Sequence, residues 1–288
     1  MSQSLTQLLS DIAAFTGVVL QAKLTATFAV AIVSASAGAL AGAWAAQRIA
    51  ASNKLNDDIV LEIRNTNAAV ALAYDMFNTY YSLKKQLVLP LKVNFDSEKT
   101  KRKNIEKMNK LPTHADKIPV FEMNFTTLPL PYVPSQRLQG ILFDKLSVTG
   151  GSLHMISLLV KSSDSLFAQI EQRNQIIKVY MENPISDETQ KAHFYFGTTD
   201  GDGHTDTSYS DCVGSIYHFN DDCIMSCKLL IEDLSLHGEE LKLRNKKRLK
   251  GAPQKIMKID FSTIEEGVIP SAEEYSDWIE LTGSAKSG

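Results

Sequence analysis

Three features of the sequence predict a mainly α-helical protein in which a single N-terminal transmembrane helix continues into a cytoplasmic helical bundle. Residues 24–47 contain no Asp, Glu, Lys, Arg or His. Beyond them, apolar residues recur at steps built from three and four through Ile49, Ile59, Ile63, Val70, Ala73, Phe77 and Tyr80, and no proline occurs before Pro90. The same periodicity returns between residues 135 and 252.

The uncharged run sets the membrane segment, 24–47. As a helix it measures about 36 Å against a hydrocarbon core of roughly 30 Å, so it can cross. Lys23 precedes it and Arg48, Lys54 and Arg64 follow. Basic residues favour the cytoplasmic side, which puts the C-terminal body inside and the N-terminus outside. Two other readings compete: Ser34-Ala35-Ser36-Ala37 offers the small residues of a signal-peptide cleavage site, and an alanine-rich run also suits a buried soluble helix. Trp44 and Arg48, placed where the helix would leave the lipid, favour the span.

The span is rich in small and hydroxyl residues. Gly38 and Gly42 form a small-xxx-small step that lets helix backbones approach closely, and Thr27, Ser34 and Ala41 share a stripe at seven-residue spacing. Self-association is expected, either around a narrow polar path or as a tight oligomer that conducts nothing. The arm before it, 1–23, places Leu5, Leu8, Ile12, Phe15 and Val19 on one face, an amphipathic pattern. Asp11 on that arm would recur once per subunit. Asp11, Thr27, Ser34, Gly38, Ala41 and Gly42 are therefore the expected pore or oligomer-interface residues.

After the span the periodicity predicts a long coupling helix, 48–89. Six of the nine prolines then fall between Pro90 and Pro134, interleaved with a charged run, which predicts an irregular connector over 90–134. The bundle, 135–252, is expected as helices broken near Gly150-Gly151 and restarted at a Ser210-Asp211 cap. Residues 253–288 read as an acidic, irregular tail with a short strand at Ile256 to Phe261 and a flexible end.

A net charge of −3 with 22% charged residues excludes a generally basic, nucleic-acid-like chain, so any anion site has to be local. Two stretches stand out. Residues 84–110 carry a net charge of about +6, and residues 242–258 about +8 with no acid at all. Lys99, Lys101, Arg102 and Lys103 in the first, and Lys242, Arg244, Lys246, Lys247, Arg248 and Lys250 in the second, are the candidate nucleic-acid-binding residues. Such clusters suit the phosphates of a nucleic acid or nucleotide, the anionic lipids of an inner leaflet, or plain solvation. The second lies about 195 residues beyond the span, which favours a polyanion over lipid.

Catalytic and metal-binding signals are weak. Walker A, H-E-x-x-H, G-x-S-x-G and G-x-G-x-x-G patterns are absent. Asp200-Gly-Asp-Gly-His-Thr-Asp resembles a calcium loop but has Thr205 where that loop needs glycine, and a strand-like His-Phe-Tyr-Phe precedes it where a helix belongs. Cys223 and Cys227 with a histidine would be an incomplete zinc set. Three cysteines, an odd number, argue for a reducing compartment without a disulfide framework. The expectation is a protein with no catalytic residues, no bound metal and no cofactor.

Ala46-Gln-Arg-Ile-Ala, Glu62-Ile-Arg-Asn-Thr-Asn-Ala-Ala, Ser82-Leu-Lys-Lys-Gln, Asp221-Asp-Cys-Ile and Asp233-Leu-Ser-Leu-His-Gly resemble pieces of a family of bacterial single-span proteins. In architecture the chain also looks like the membrane effectors of the Hailong anti-phage defence system. That resemblance implies a homotetrameric ion channel of the bacterial inner membrane, a single-stranded DNA ligand and a partner nucleotidyltransferase. The alternative expectation is a membrane-anchored scaffold or adaptor that recruits a protein partner and conducts nothing.

Overall fold

The computed structural model describes residues 2–109, 121–148, 150–199, 201–246, 249, 255–262, 264–265 and 267–282. It divides into two units, residues 1–59 and 60–288. Uninterrupted apolar spacing and the absence of proline yield one helix, α1, Ser2–Leu83. A π-helical turn, Lys84–Val88, follows, and α2 runs Leu89–Asn109. Next come α3 (Ser135–Lys145), α4 (Gly150–Glu182), α5 (Glu188–Phe196) and α6 (Ser208–Arg244), then a 3₁₀ turn (Ala272–Tyr275) and α7 (Ser276–Thr282). Among the described residues there is no strand; one isolated bridge joins Thr199 and Thr205.

The expected connector over 90–134 is half right. Its first twenty residues are helix, because the π-helical turn directly before Pro90 widens the ladder at the point where the proline lacks an N–H. The π turn just before it is closed by the bond from Leu89 N–H to Lys84 O, a widening that commonly marks a bend or a site in a helix. Residues 121–134 are irregular, as the prolines require.

The strand-like His193-Phe194-Tyr195-Phe196 is the end of α5. Asp187 caps its start by accepting from Gln190 N–H at 2.8 Å, and Gly197 closes it at φ 64°, where an added Cβ would stand 2.5 Å from Ser210 Oγ. Local caps and the burial of Tyr195 and Phe196 outweigh their β-propensity. The tail is also corrected. Residues 255–261 form no strand; Ile256 and Val268 are buried, and the 3₁₀ turn and α7 pack on the body through Tyr275, Trp278 and Ile279. Residues 283–288, the expected flexible end, lie outside the described residues.

In the second unit α4 and α6 form the central pair, with the end of α1, the π turn and α2 running antiparallel to α6. The order of contacts shows this: His237 meets Glu62, Asp221 meets Lys84, and the Tyr209 ring faces Phe95 at 6.5 Å. The core holds Val70, Phe77, Leu159, Ile170, Ile224 and Leu230, all fully buried.

Two asparagines on helices do for the irregular segments what strand partners would otherwise do. Asn174 on α4 donates to Leu128 O at 2.8 Å and accepts from Leu128 N at 3.0 Å. Asn67 on α1 donates to Lys255 O at 2.9 Å and accepts from Met257 N at 2.8 Å. Arg173 reinforces the first clamp: fully buried, it donates to Thr126 O, Asn124 O and Tyr209 Oη, each at 2.9 Å. Gly238 allows the second, since a Cβ there would stand 3.0 Å from Ile256 Cδ1. Replacing Asn174 by Ala strands the Leu128 N–H and carbonyl against the body. The expected loss is about 1–3 kcal/mol of unfolding free energy in urea titrations followed by circular dichroism.

Candidate functional site

In the first unit most of the large apolar side chains that are described face outward. Phe28, Val30, Ile32, Leu40, Trp44 and Ile49 are all exposed. Ser34, Gly38, Ala41 and Gly42 are exposed too, with open space around both glycines. One helix is thus long and apolar enough to cross a membrane, and none of its apolar window is buried. The Arg48 guanidinium lies 5.2 Å from the Trp44 ring centroid, a cation–π contact between two residues that both favour the lipid–water boundary. The side chains of Asp11 and Thr27 lie outside the described residues.

The second unit separates the two basic clusters. Lys99 on α2 donates to Phe196 O at 3.2 Å and stands over the Phe95 ring, at the N-terminal end of α6. Arg244 ends α6, 35 residues beyond Tyr209 and so about 50 Å away along the helix. Lys242 and Arg244 of the second cluster lie in the last turn of α6, one to two turns past the His237 contact with Glu62. Many of the cations are already partnered. Lys101 pairs with Glu98 at 2.6 Å, Arg102 with Glu106 at 2.5 Å, Arg244 with Glu240 at 2.7 Å and Lys242 with Glu239 at 3.9 Å. Lys103 and Lys246 are exposed and form no ion pair among the described residues; Lys247, Arg248 and Lys250 lie outside them.

Lys84 belongs to the first cluster by sequence but not in space. Its ammonium is 1% exposed, pairs with the 7% exposed Asp221 carboxylate and sits 5.0 Å from the Tyr217 ring centroid. Burial pushes the Asp221 carboxyl above its usual range despite the opposing pull of Lys84, and burial likewise raises neighbouring Asp222, which accepts from Tyr275 Oη at 2.8 Å. Asn220 donates to Tyr80 O at 3.1 Å, and the Tyr80 and Ser163 hydroxyls are 2.7 Å apart. Burial raises all three thiols, Cys212, Cys223 and Cys227, so they are packing groups rather than nucleophiles.

A second polar centre joins α1, the start of α4 and α6. Glu62 Oε1 accepts from Ser147 N at 2.8 Å and from the Ser147 hydroxyl, and lies 3.3 Å from His237 Nε2; Ser152 donates to Asp233. The residue types are those of a hydrolase triad, but the carboxylate stands between hydroxyl and imidazole. A triad needs the imidazole in the middle to take the serine proton. Among the described residues no three His, Cys, Asp or Glu could hold a metal ion. Asp200 of the calcium-like loop lies outside them, and a helix, α5, precedes that loop after all.

Four of the five sequence pieces that carried the resemblance meet at these centres; the fifth, Ala46 to Ala50, lies in the first unit. Lys84 of one pairs with Asp221 of another, Glu62 meets His237, and Asn67 and Gly238 both hold residues 255–257. Arg173 and Asn174 are functional to the fold without a sequence signal, because a lone Arg-Asn on a helix has no pattern that distinguishes it from a solvated face. The fold thus defines a mainly helical protein with one helix suited to crossing a bilayer. Comparison with known protein families, with curated proteins and with solved structures finds no match.

Two predictions follow the charges. Lys84→Met leaves Asp221 buried without its partner and is expected to cost about 3–5 kcal/mol, most of it recovered when Asp221→Leu is added; urea unfolding of the three variants measures both. Burial would raise the Glu62 carboxyl, but the Ser147 hydrogen bonds and His237 outweigh it and hold it below its ordinary range. A depressed carboxylate adds stability above its unfolded value and loses it as pH falls through the folded value. Melting temperature should therefore drop on acidification from about pH 7 to about pH 3, and less steeply in Glu62→Gln.

Proposed function

We propose that this chain is a homo-oligomeric channel or pore-forming effector of the bacterial inner membrane, acting in anti-phage defence, whose cytoplasmic helical body responds to a polyanion, with single-stranded DNA the preferred ligand. The observation that carries this reading is the apolar stretch of α1, wholly unburied, with Gly38 and Gly42 open on its surface. In lipid such a helix gains little by leaving its neighbours for acyl chains, and small residues let copies pack at close range. The turn of Ser34 and Thr27 toward a shared axis would supply the polar path. A tetramer and a partner nucleotidyltransferase follow from the family resemblance. The proposed orientation, N-terminus outside, rests on Arg48, Lys54 and Arg64. The proposal assigns no catalytic residue.

A membrane-anchored scaffold is the second reading, favoured by one observation: carboxylates of the same chain already neutralise much of both basic clusters. Planar-bilayer recording separates the two. Purified protein should give discrete conductance steps that change on adding oligonucleotide, and Thr27 or Ser34 substitutions should alter step size. Silence in both conditions removes the channel. Independently, charge reversal at Lys246, Lys247 and Arg248 should lower oligonucleotide affinity and flatten its salt dependence, by about one unit of slope for each phosphate that the variant no longer neutralises, read by fluorescence anisotropy.

A further inference from the structure

One short helix, α5, has a cationic corner on one side and an aromatic cleft on the other. Phe194 and Phe196, two residues apart, turn to opposite sides of it. Phe196 packs on Phe95 and Phe121 and carries the cations: Lys99 donates to its carbonyl at 3.2 Å, and the Arg102 guanidinium stands 6.0 Å from its ring centroid. Phe194 meets Tyr180 at 5.2 Å, with planes 18° apart, and both rings line a cleft of about 350 Å³. Only the width of a helix, about 10–12 Å, lies between the two features.

The cationic corner is short of an acceptor. The Arg102 side chain is 10% exposed, and its Nε pairs with Glu106 at 2.5 Å, but its Nη1 is buried without a hydrogen-bond partner among the described residues. Glu98, one turn back on α2, is engaged by Lys101 at 2.6 Å and by the Glu122 N–H at 3.4 Å. A guanidinium that has given up water and gained no acceptor calls for an anion, and its planar fork suits phosphate oxygens.

The cleft has the opposite character. Ile176 and Val179 join the two rings in giving it apolar walls, and Gln175, Asn183 and Asp206 are among its polar lining. Its volume falls within the roughly 300–1,000 Å³ of small-molecule sites. The one charged residue among those that line it is an acid, so a phosphate is repelled there. Asp206 Oδ1 accepts from Ser208 N–H at 2.9 Å, which fixes the carboxylate. Aromatic and aliphatic walls, a fixed acceptor and two amides suit a neutral planar group with N–H donors on its edge, the chemistry of a nucleobase.

We infer that a single strand crosses α5 with a phosphate on Arg102 and Lys99 and a neighbouring base in the Tyr180–Phe194 cleft, its exocyclic amino group donating to Asp206. The assignment rests on the proposed DNA ligand and deepens it by adding a choice of base. Cytosine and adenine carry such an amino group and thymine does not, so thymine is the disfavoured occupant.

Fluorescence anisotropy with full-length protein in lipid nanodiscs tests it, using labelled oligo-dC and oligo-dT of equal length. Oligo-dC should bind about tenfold tighter, within the range of one good side chain–base contact. Val179→Trp, which fills the cleft from an exposed position, and Asp206→Asn, which keeps the oxygen that Ser208 needs, should each bring oligo-dC close to oligo-dT. Arg102→Gln should weaken both oligonucleotides by the same factor, about threefold, and flatten the salt slope by about one unit. Equal affinities in the unaltered protein, or a preference that survives either cleft substitution, overturn the base site and leave the DNA ligand standing. Unchanged binding by Arg102→Gln overturns the phosphate site. Failure to bind either oligonucleotide overturns the proposed ligand as well.

Discussion

The body depends on the register in which its entering helix meets α6, and a buried charge pair fixes that register. Apolar side chains along α1 and α6 would tolerate a slip of one turn, because packing a Leu where an Ile stood costs little. A lysine 1% exposed and an aspartate 7% exposed do not tolerate it. Each would be left alone in a low dielectric, a penalty far larger than the net worth of the pair. Asn220 on Tyr80 O and Tyr80 on Ser163 extend the same constraint to α4. The π turn lies at this point: widening the helix at Lys84 accommodates Pro90 and sets the ammonium among α6 groups at the same time.

The fold is legible wherever one period runs long. α1, α4 and α6 each repeat their apolar spacing over many turns, and α1 has no proline to stop it. Legibility fails where the deciding force is not local. His193-Phe194-Tyr195-Phe196 has the composition of a strand, but Asp187, Gly197 and the aromatic cluster around Phe95, Phe121 and Tyr209 make it a helix. Pro90 reads as a breaker in isolation, and the helix runs on through it behind a π turn. Residues 256–261 have the composition of a strand but form none, and the Asn67 amide that holds Lys255 and Met257 has no signal in the sequence.

The candidate sites divide in the same way. Uncharged length and small residues are properties of the sequence itself, so a helix apolar enough to cross a membrane can be read directly. Charge clusters can be counted, but their counter-ions lie a helical turn away or across the body. Glu239 and Glu240 stand just upstream of the acid-free stretch that begins at Lys242, and Lys84 adds to the charge of a surface cluster although it is core. Ion pairs of the exposed kind contribute little to stability, yet they set how many cations are free for a ligand.

Antiparallel packing also constrains what a polyanion could do here. With α2 beside the start of α6 and the second cluster at its end, the cations lie about 50 Å apart along the helix axis. At physiological salt the Debye length is about 8 Å, so neither cluster feels charge at the other. A compact nucleotide would engage one of them and leave the other solvated. A strand of many phosphates is the class of ligand that can neutralise both, releasing counterions at each end, and its affinity should rise with length until the two clusters are spanned and level off beyond. Length dependence of that shape would follow from the position of Lys99, on α2 beside the start of α6, and of Arg244, at the end of α6, whatever bases the strand carries.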